Sequence, residues 1–161
     1  MMGSAKSGRI PHYNVITWNV RGLSTNSKQR RILVYLKRHK AHIAMLQETH
    51  MSQTGLDSIA RKWGGTLHGT TTSSFARGVL IWISSEVPYV TTNIIIDPDG
   101  RYVVLEGVLD GRPLTLATIY APNVGHPAFF CKLSPALLTD PQNPVIWGGD
   151  FNGILDIEFD R

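Results

Sequence analysis

Cysteine is almost missing from this chain. Cys131 is the only one in 161 residues, so no internal disulfide holds the fold. A reducing compartment and a small buried thiol are the simplest expectations. Long apolar runs are missing as well. None reaches the roughly 18 residues that span a bilayer. The first residues, Met1-Met-Gly-Ser-Ala-Lys-Ser-Gly8, lack the apolar segment of a secretory signal. The sequence therefore reads as neither a disulfide scaffold nor a membrane-spanning chain. Charged residues make up only 17% and hydrophobic ones 42%, which excludes a disordered polyelectrolyte and leaves enough apolar chain for a core. No repeat, low-complexity tract or linker breaks the sequence, so one domain is expected over residues 12–161, behind a flexible leader at 1–11.

What is present is basic. The net charge is +4 and the pI about 9.4. That balance suits a polyanionic partner, and an ordinary basic soluble protein shows it too.

Strands and helices alternate along the chain. Tyr13 to Trp18 is β-branched and alternating, so it predicts a strand. Ser27 is placed to cap a helix over Lys28–His39, with Ile32, Leu33 and Leu36 inward and Lys28, Arg31, Lys37, Arg38 and Lys40 around the rest. Ile43 to Gln47 predicts a buried strand that ends at Glu48. Leu56 to Trp63 predicts a short helix closed by Gly64-Gly65. Further strands are expected at Gly78–Ser84, Pro88–Ile96, Tyr102–Leu109, Leu114–Ile119 and Val145–Trp147. Turn signals at Pro98-Asp-Gly100 and Asp110-Gly111 separate four of them. A helix over Ala128–Leu138, with Phe129, Leu133 and Leu137 as its apolar face, precedes the last strand. The pattern predicts a mixed α/β fold with helices outside the sheets.

Polar groups collect where these strands end. Glu48 leaves an apolar strand into a polar loop, a rigid place from which a carboxylate can hold a hard cation. Taken alone it is an ordinary solvated glutamate. Asp150 and Asn152 flank Phe151 behind a glycine turn. In an extended segment both would face one way and orient a water or a phosphate oxygen, while turn chemistry explains the same residues equally well. Asn19 closes the first strand before Gly22. It is suited to position Glu48 or a metal-bound water, or to bond its own loop backbone. Tyr120 and Asn123 follow another strand. Tyr120 is a donor to a phosphate oxygen or, with a lowered pKa, an acid. The histidines His12, His39, His42, His50, His68 and His126 show no metal-ligand spacing, and His50 reads as a polar loop residue.

Together these segments carry more than each does alone. Asn19-x-x-Gly22, Gln47-Glu48-Thr49, Tyr120-x-x-Asn123 and Gly149-Asp150-Phe151-Asn152 occur in the order and spacing of the endonuclease/exonuclease/phosphatase family, which the chain resembles from about Tyr13 to Arg161. Within it, Thr17-Trp-Asn-Val-Arg-Gly-Leu23, Leu46-Gln-Glu-Thr-His50, Arg77-Gly-Val79, Asp99-Gly-Arg-Tyr102, Tyr120-Ala-Pro-Asn123 and Asp160-Arg161 are most similar to the endonuclease domains of LINE-type, non-LTR retrotransposons. The resemblance implies a DNase I-like four-layer α/β sandwich of two facing mixed sheets with outer helices. It implies a Mg²⁺- or Mn²⁺-dependent nick in DNA whose 3′-hydroxyl primes a downstream reverse transcriptase. It also implies nuclear or cytoplasmic action. Carried over by position, Glu48 would bind the metal with Asn19 in support. Tyr120 would meet the scissile phosphate, Asp150 would orient the attacking water with help from Asn152, and Asn123 and Arg161 would contact substrate.

Family members complete the site with a Ser-Asp-His or similar triplet. Here nine residues follow Asn152, and no Asp-His pair occurs in the chain. The expectation is a second sheet lacking its C-terminal part, with an uncovered apolar edge, and weak or absent activity. Two other readings compete. One is a relative acting on a non-DNA phosphate ester. The other is a non-catalytic relic or DNA-binding module.

Overall fold

The computed structural model describes residues 11–71 and 77–153. Two four-stranded sheets form, each mixed. In the first, β1 (Val15–Asn19) runs parallel to β2 (Ile43–Gln47). β2 is antiparallel to β4 (Val79–Ile83), and β4 to the short β3 (Thr66–Gly69). In the second, β5 (Tyr89–Ile96), β6 (Tyr102–Leu109) and β7 (Arg112–Tyr120) form an antiparallel meander. β8 (Val145–Asp150) joins β7 in parallel.

The sheets face each other across an apolar layer of Ile43, Met45, Ile81, Val103, Leu105 and Leu116. The intervening residues of the same strands, Ala44, Leu46, Leu80 and Trp82, face the other way. They pack under α1 (Asn26–Arg38) and α2 (Gln53–Trp63). That double burial is why β2 and β4 are apolar at nearly every position. α3 (His126–Leu137) covers the outside of the second sheet through Phe129, Leu133 and Ala136. Helices, sheet, sheet and helix make the four expected layers.

Several expectations shift. Thr25 caps α1 rather than Ser27, because Thr25 is extended and its hydroxyl accepts from the Lys28 amide, whereas Ser27 already lies in the first turn. α2 begins earlier than expected, where Ser52 accepts from the Gly55 amide at 3.2 Å. β3 went unread: four residues containing His68 and Gly69 carry no alternation long enough to recognise. Asp110 and Gly111 both have positive φ, 49° and 76°, the geometry of a two-residue hairpin turn between β6 and β7. Cys131 is exposed rather than buried, since α3 turns Phe129, Leu133 and Ala136 inward and leaves it on the other side.

The two sheets are equally represented, with four strands each. β1 and β8 form the outer edges on the same side, and neither has a further strand beside it among the described residues. β8 leaves Ile146 41% and Trp147 48% exposed. The leader through residue 10 lies outside the described residues, as does Arg161. No helix among the described residues is long and apolar enough to cross a membrane.

Candidate active site

Two parallel strand pairs aim their carboxyl ends at one place. β1 and β2 end together at Asn19 and Gln47, and β7 and β8 end together at Tyr120 and Asp150. Such ends, where strand direction is shared, are where α/β sheets place their ligands. The Asn19 amide nitrogen donates to Glu48 Oε1 and to Asp150 Oδ2, each at 2.8 Å. One side chain on the first sheet thus holds two carboxylates that are 102 residues apart in sequence, one on each sheet. The Asn19 oxygen accepts from the Arg21 amide at 3.0 Å. The Asn19 side chain therefore bonds both its own loop and the two carboxylates.

Glu48 is held in an uncommon backbone. Its φ is +52° and that of His50 +53°. A side chain in this left-handed region costs of order 1 kcal/mol and persists only where neighbours over-determine it. Here they do. The Glu48 and Thr49 carbonyls accept from the Gly22 and Leu23 amides on one side. The Thr49 and His50 amides donate to the Gly78 and Arg77 carbonyls on the other, all within 2.6–2.9 Å. His50 is more than a loop residue. Its Nε2 lies 3.9 Å from Glu48 Oε2 and is buried without a hydrogen-bond partner among the described residues.

Tyr120 departs from one expectation. Burial raises its pKa first, and the hydrogen bond to Glu48 and the charges of Glu48 and Asp150 raise it further, with Arg101 opposing. The direction is upward, opposite to the lowered pKa that an acid role would need. Arg101 sits over its ring, 5.7 Å from the centroid, and donates to its carbonyl. Burial and then the nearby Arg77 guanidinium lower the Arg101 pKa. These arginines bring positive charge to the site. The phrases Arg77-Gly-Val79 and Asp99-Gly-Arg-Tyr102 contained both, but nothing local to either marked it as functional.

Gly148 and Gly149 are not a turn. They lie inside β8, paired with Thr118 and Ile119 of β7. Their missing side chains make room: a Cβ on Gly149 would sit 2.0 Å from the Ile119 carbonyl oxygen, and one on Gly148 3.1 Å from the Thr17 Cβ. The turn comes one residue later. Asn152 has φ +45°, its amide donates to Asp150 Oδ1 at 3.1 Å, and its side-chain nitrogen donates to the Ala121 carbonyl at 2.7 Å. Asp150 and Asn152 thus do not project side by side from an extended segment. Asp150 accepts on both oxygens, and Asn152 closes the turn that fixes it.

A cleft of about 1180 Å³ opens beside these groups, lined by Trp18, Asn19, Asn123, His126, Asp150 and Asn152 among others. Below it, buried Gln47 donates to the Thr17 and Thr118 hydroxyls at 3.2 and 3.0 Å. This polar link joins the two sheets two residues below Asn19 and Tyr120. His126, read as unremarkable in the sequence, lines the cleft from the first turn of α3. Only the fold carries it there.

A family model described as the endonuclease/exonuclease/phosphatase family matches residues 16–156. The chain belongs to that family. Solved structures share its fold. TDP2 from D. rerio, complexed with a single-strand DNA product, superposes with a TM-score of 0.64 at 18% identity, over 87% of this chain and 60% of that one. The endonuclease domain of TRAS1, a telomere-specific non-LTR retrotransposon, gives 0.63 at 17% identity, over 90% and 63%. An AP endonuclease from Archaeoglobus fulgidus gives 0.59 at 18%, over 85% and 56%. The chain spans less than two thirds of the length of each of these.

The donor set of this family member suits a hard divalent cation. Glu48 and Asp150 supply carboxylate oxygens on either side of one amide. Among the described residues no cluster of three or more His, Cys, Asp or Glu forms.

Proposed function

We propose that the chain hydrolyses phosphodiester bonds with Mg²⁺ or Mn²⁺, its substrate being DNA that it nicks in the manner of a LINE-type retrotransposon endonuclease. The observation that carries this reading is the convergence of Glu48 and Asp150 on the Asn19 amide at the shared ends of four strands. A cation bound by Glu48, with Asn19 in support, would neutralise charge on the phosphate. Asp150 is oriented through both oxygens, by Asn19 and by the Asn152 amide. It would orient the attacking water and take its proton. Tyr120 would donate to a non-bridging phosphate oxygen. Arg101 and Arg77 offset the charge that develops there. Asn123, exposed on the cleft wall, contacts the substrate backbone.

DNA is favoured over other phosphate esters by the basic first helix and by the retrotransposon-like phrases. The fold shared with the TRAS1 endonuclease domain and with DNA-bound TDP2 is consistent with it. Supercoiled-plasmid nicking tests the reading. The parent chain is expected to nick with Mg²⁺ and not with EDTA, and Asp150→Ala to abolish the Mg²⁺-dependent signal. Folded parent protein that never nicks, or Asp150→Ala that nicks as well as the parent, would overturn it. The first outcome leaves the non-catalytic DNA-binding reading.

A further inference from the structure

The first acidic residue of this chain is Glu48. Positions 1–47 hold nine Lys and Arg and no Asp or Glu. α1 lies entirely within that stretch. It buries Gln29, Ile32 and Leu36, and leaves Arg31, Tyr35, Arg38 and His39 exposed. The spacing puts those four along one stripe of the helix. A solvated helix face is ordinarily laced with charges of both signs, and this one is not. Among the described residues, the ion pairs involve only Lys132 and His50, so no described acid pairs with the stripe.

Aromatic rings run between the cations. Tyr35 contacts Trp18 at a centroid distance of 4.8 Å and His39 at 4.2 Å, tilted by 52° and 40°. Tyr35 is still 43% exposed. Trp18 is also a wall of the active-site cleft, beside Asn19 and Asp150. The ring series therefore starts at the site and continues along the flank of α1, with Arg31 and Arg38 on either side of Tyr35.

Basic charge alone would attract any polyanion. Exposed rings add something only for a partner with free planar faces, and in a duplex the base faces are stacked away. Grooves that combine cations with aromatic platforms are how proteins hold unpaired strands. We propose that this face of α1 binds a single-stranded segment of nucleic acid leading away from the cleft, its bases on Tyr35 and His39 and its phosphates on Arg31 and Arg38. The proposal rests on the nucleic-acid reading above for its choice of polyanion, but not on catalysis.

The test is fluorescence anisotropy in EDTA with a labelled 20-nucleotide oligothymidylate, a 20-base-pair duplex and heparin as a base-free polyanion. Tyr35→Ala is expected to weaken oligothymidylate binding about 5- to 150-fold, the loss for one stacked base, and to leave duplex and heparin binding within two-fold. Tyr35→Phe, which keeps the ring, is expected to bind like the parent. Arg31→Ala with Arg38→Ala should flatten the salt dependence for the single strand by about 1.4 logarithmic units, from ~0.7 per phosphate contact. His39→Ala is a second ring variant, exposed enough to fold regardless of Tyr35. Parent protein that does not bind oligothymidylate, ring variants that bind it as the parent does, or ring variants that weaken all three polyanions alike would overturn the proposal. Binding in EDTA needs no turnover, so plasmid nicking by the parent protein, read separately with Mg²⁺, distinguishes this result from a failure of the hydrolytic reading.

Discussion

Replacing Gly149 with alanine tests the finding that the glycine pair is strand and not turn. The new Cβ would lie 2.0 Å from the Ile119 carbonyl oxygen, 2.8 Å from its carbon and 2.9 Å from its nitrogen. A carbon tolerates an oxygen at ~3.3 Å, so β8 must move away from β7 by roughly 1 Å. Every obstructing atom is backbone in a central strand, and no side-chain rotamer can relieve the clash. Overpacking of this kind costs about 1–3 kcal/mol, and the rigidity here argues for about 3. For a domain of this size that lowers Tm by roughly 6–12 °C. The displacement also draws Asp150 away from the Asn19 amide and from Tyr120, its register partner, so nicking should fall with stability. Gly148→Ala is the control. Its Cβ would meet the Thr17 Cβ at 3.1 Å and Met45 Sδ at 3.2 Å, side-chain atoms that can yield, for about 1 kcal/mol and a Tm loss of roughly 2–4 °C. Thermal melts followed by circular dichroism, with plasmid nicking on the same samples, decide the matter. If Gly149→Ala melts within about 2 °C of the parent, or Gly148→Ala melts lower than it, the strand assignment and the reasoning from it are wrong.

Asn19→Ala removes the amide shared by Glu48 and Asp150. Nicking or Mg²⁺ affinity should drop about 10- to 100-fold, as for other groups that orient metal-binding carboxylates, with the melting temperature nearly unchanged; titrating Mg²⁺ in the nicking assay reads this, and parental kinetics would count against the bridge. Tyr89 supplies a pH dependence. Its hydroxyl lies 2.9 Å from both the Leu105 and Leu114 carbonyls, and burial, then the charge of Glu106, raises its pKa. The folded state holds that proton more tightly than the unfolded chain, so its stabilisation is complete below about pH 10 and declines above it as the unfolded phenol ionises. Urea midpoints between pH 8 and roughly pH 11.5 should fall, and less steeply in Tyr89→Phe; equal slopes would assign the effect to other groups.

Most of the architecture was legible because burial writes itself into periodicity. The unbroken apolar run of β2 announced a buried strand, the run over Gly78–Ser84 announced β4 as a strand, and the Asp110-Gly111 pair announced the turn before β7. β3 was not legible, because four residues at a sheet edge owe their conformation to β4 and not to their own pattern. Cap positions moved by a residue or two for a similar reason: Thr25 and Ser27 offer the same hydroxyl, and only the backbone path chooses between them.

The site divides in the same way. Asn19, Glu48, Tyr120 and Asp150 were readable because each stands at a strand end in a recognisable phrase. Their mutual arrangement was not. Arg101 over the Tyr120 ring, His50 against Glu48 and His126 in the cleft wall are contacts between segments far apart in the chain or across strained turns. No local pattern encodes them. By itself the sequence determined the family, the strands that end in polar groups, and a basic amino-terminal stretch without acids. Tertiary structure alone decided that one asparagine amide holds both carboxylates, that Arg101 reaches the Tyr120 carbonyl, and that the glycines belong to a strand. Each of those depends on distances of about 3 Å between separate strands, set by sheet register and by how the two sheets face each other.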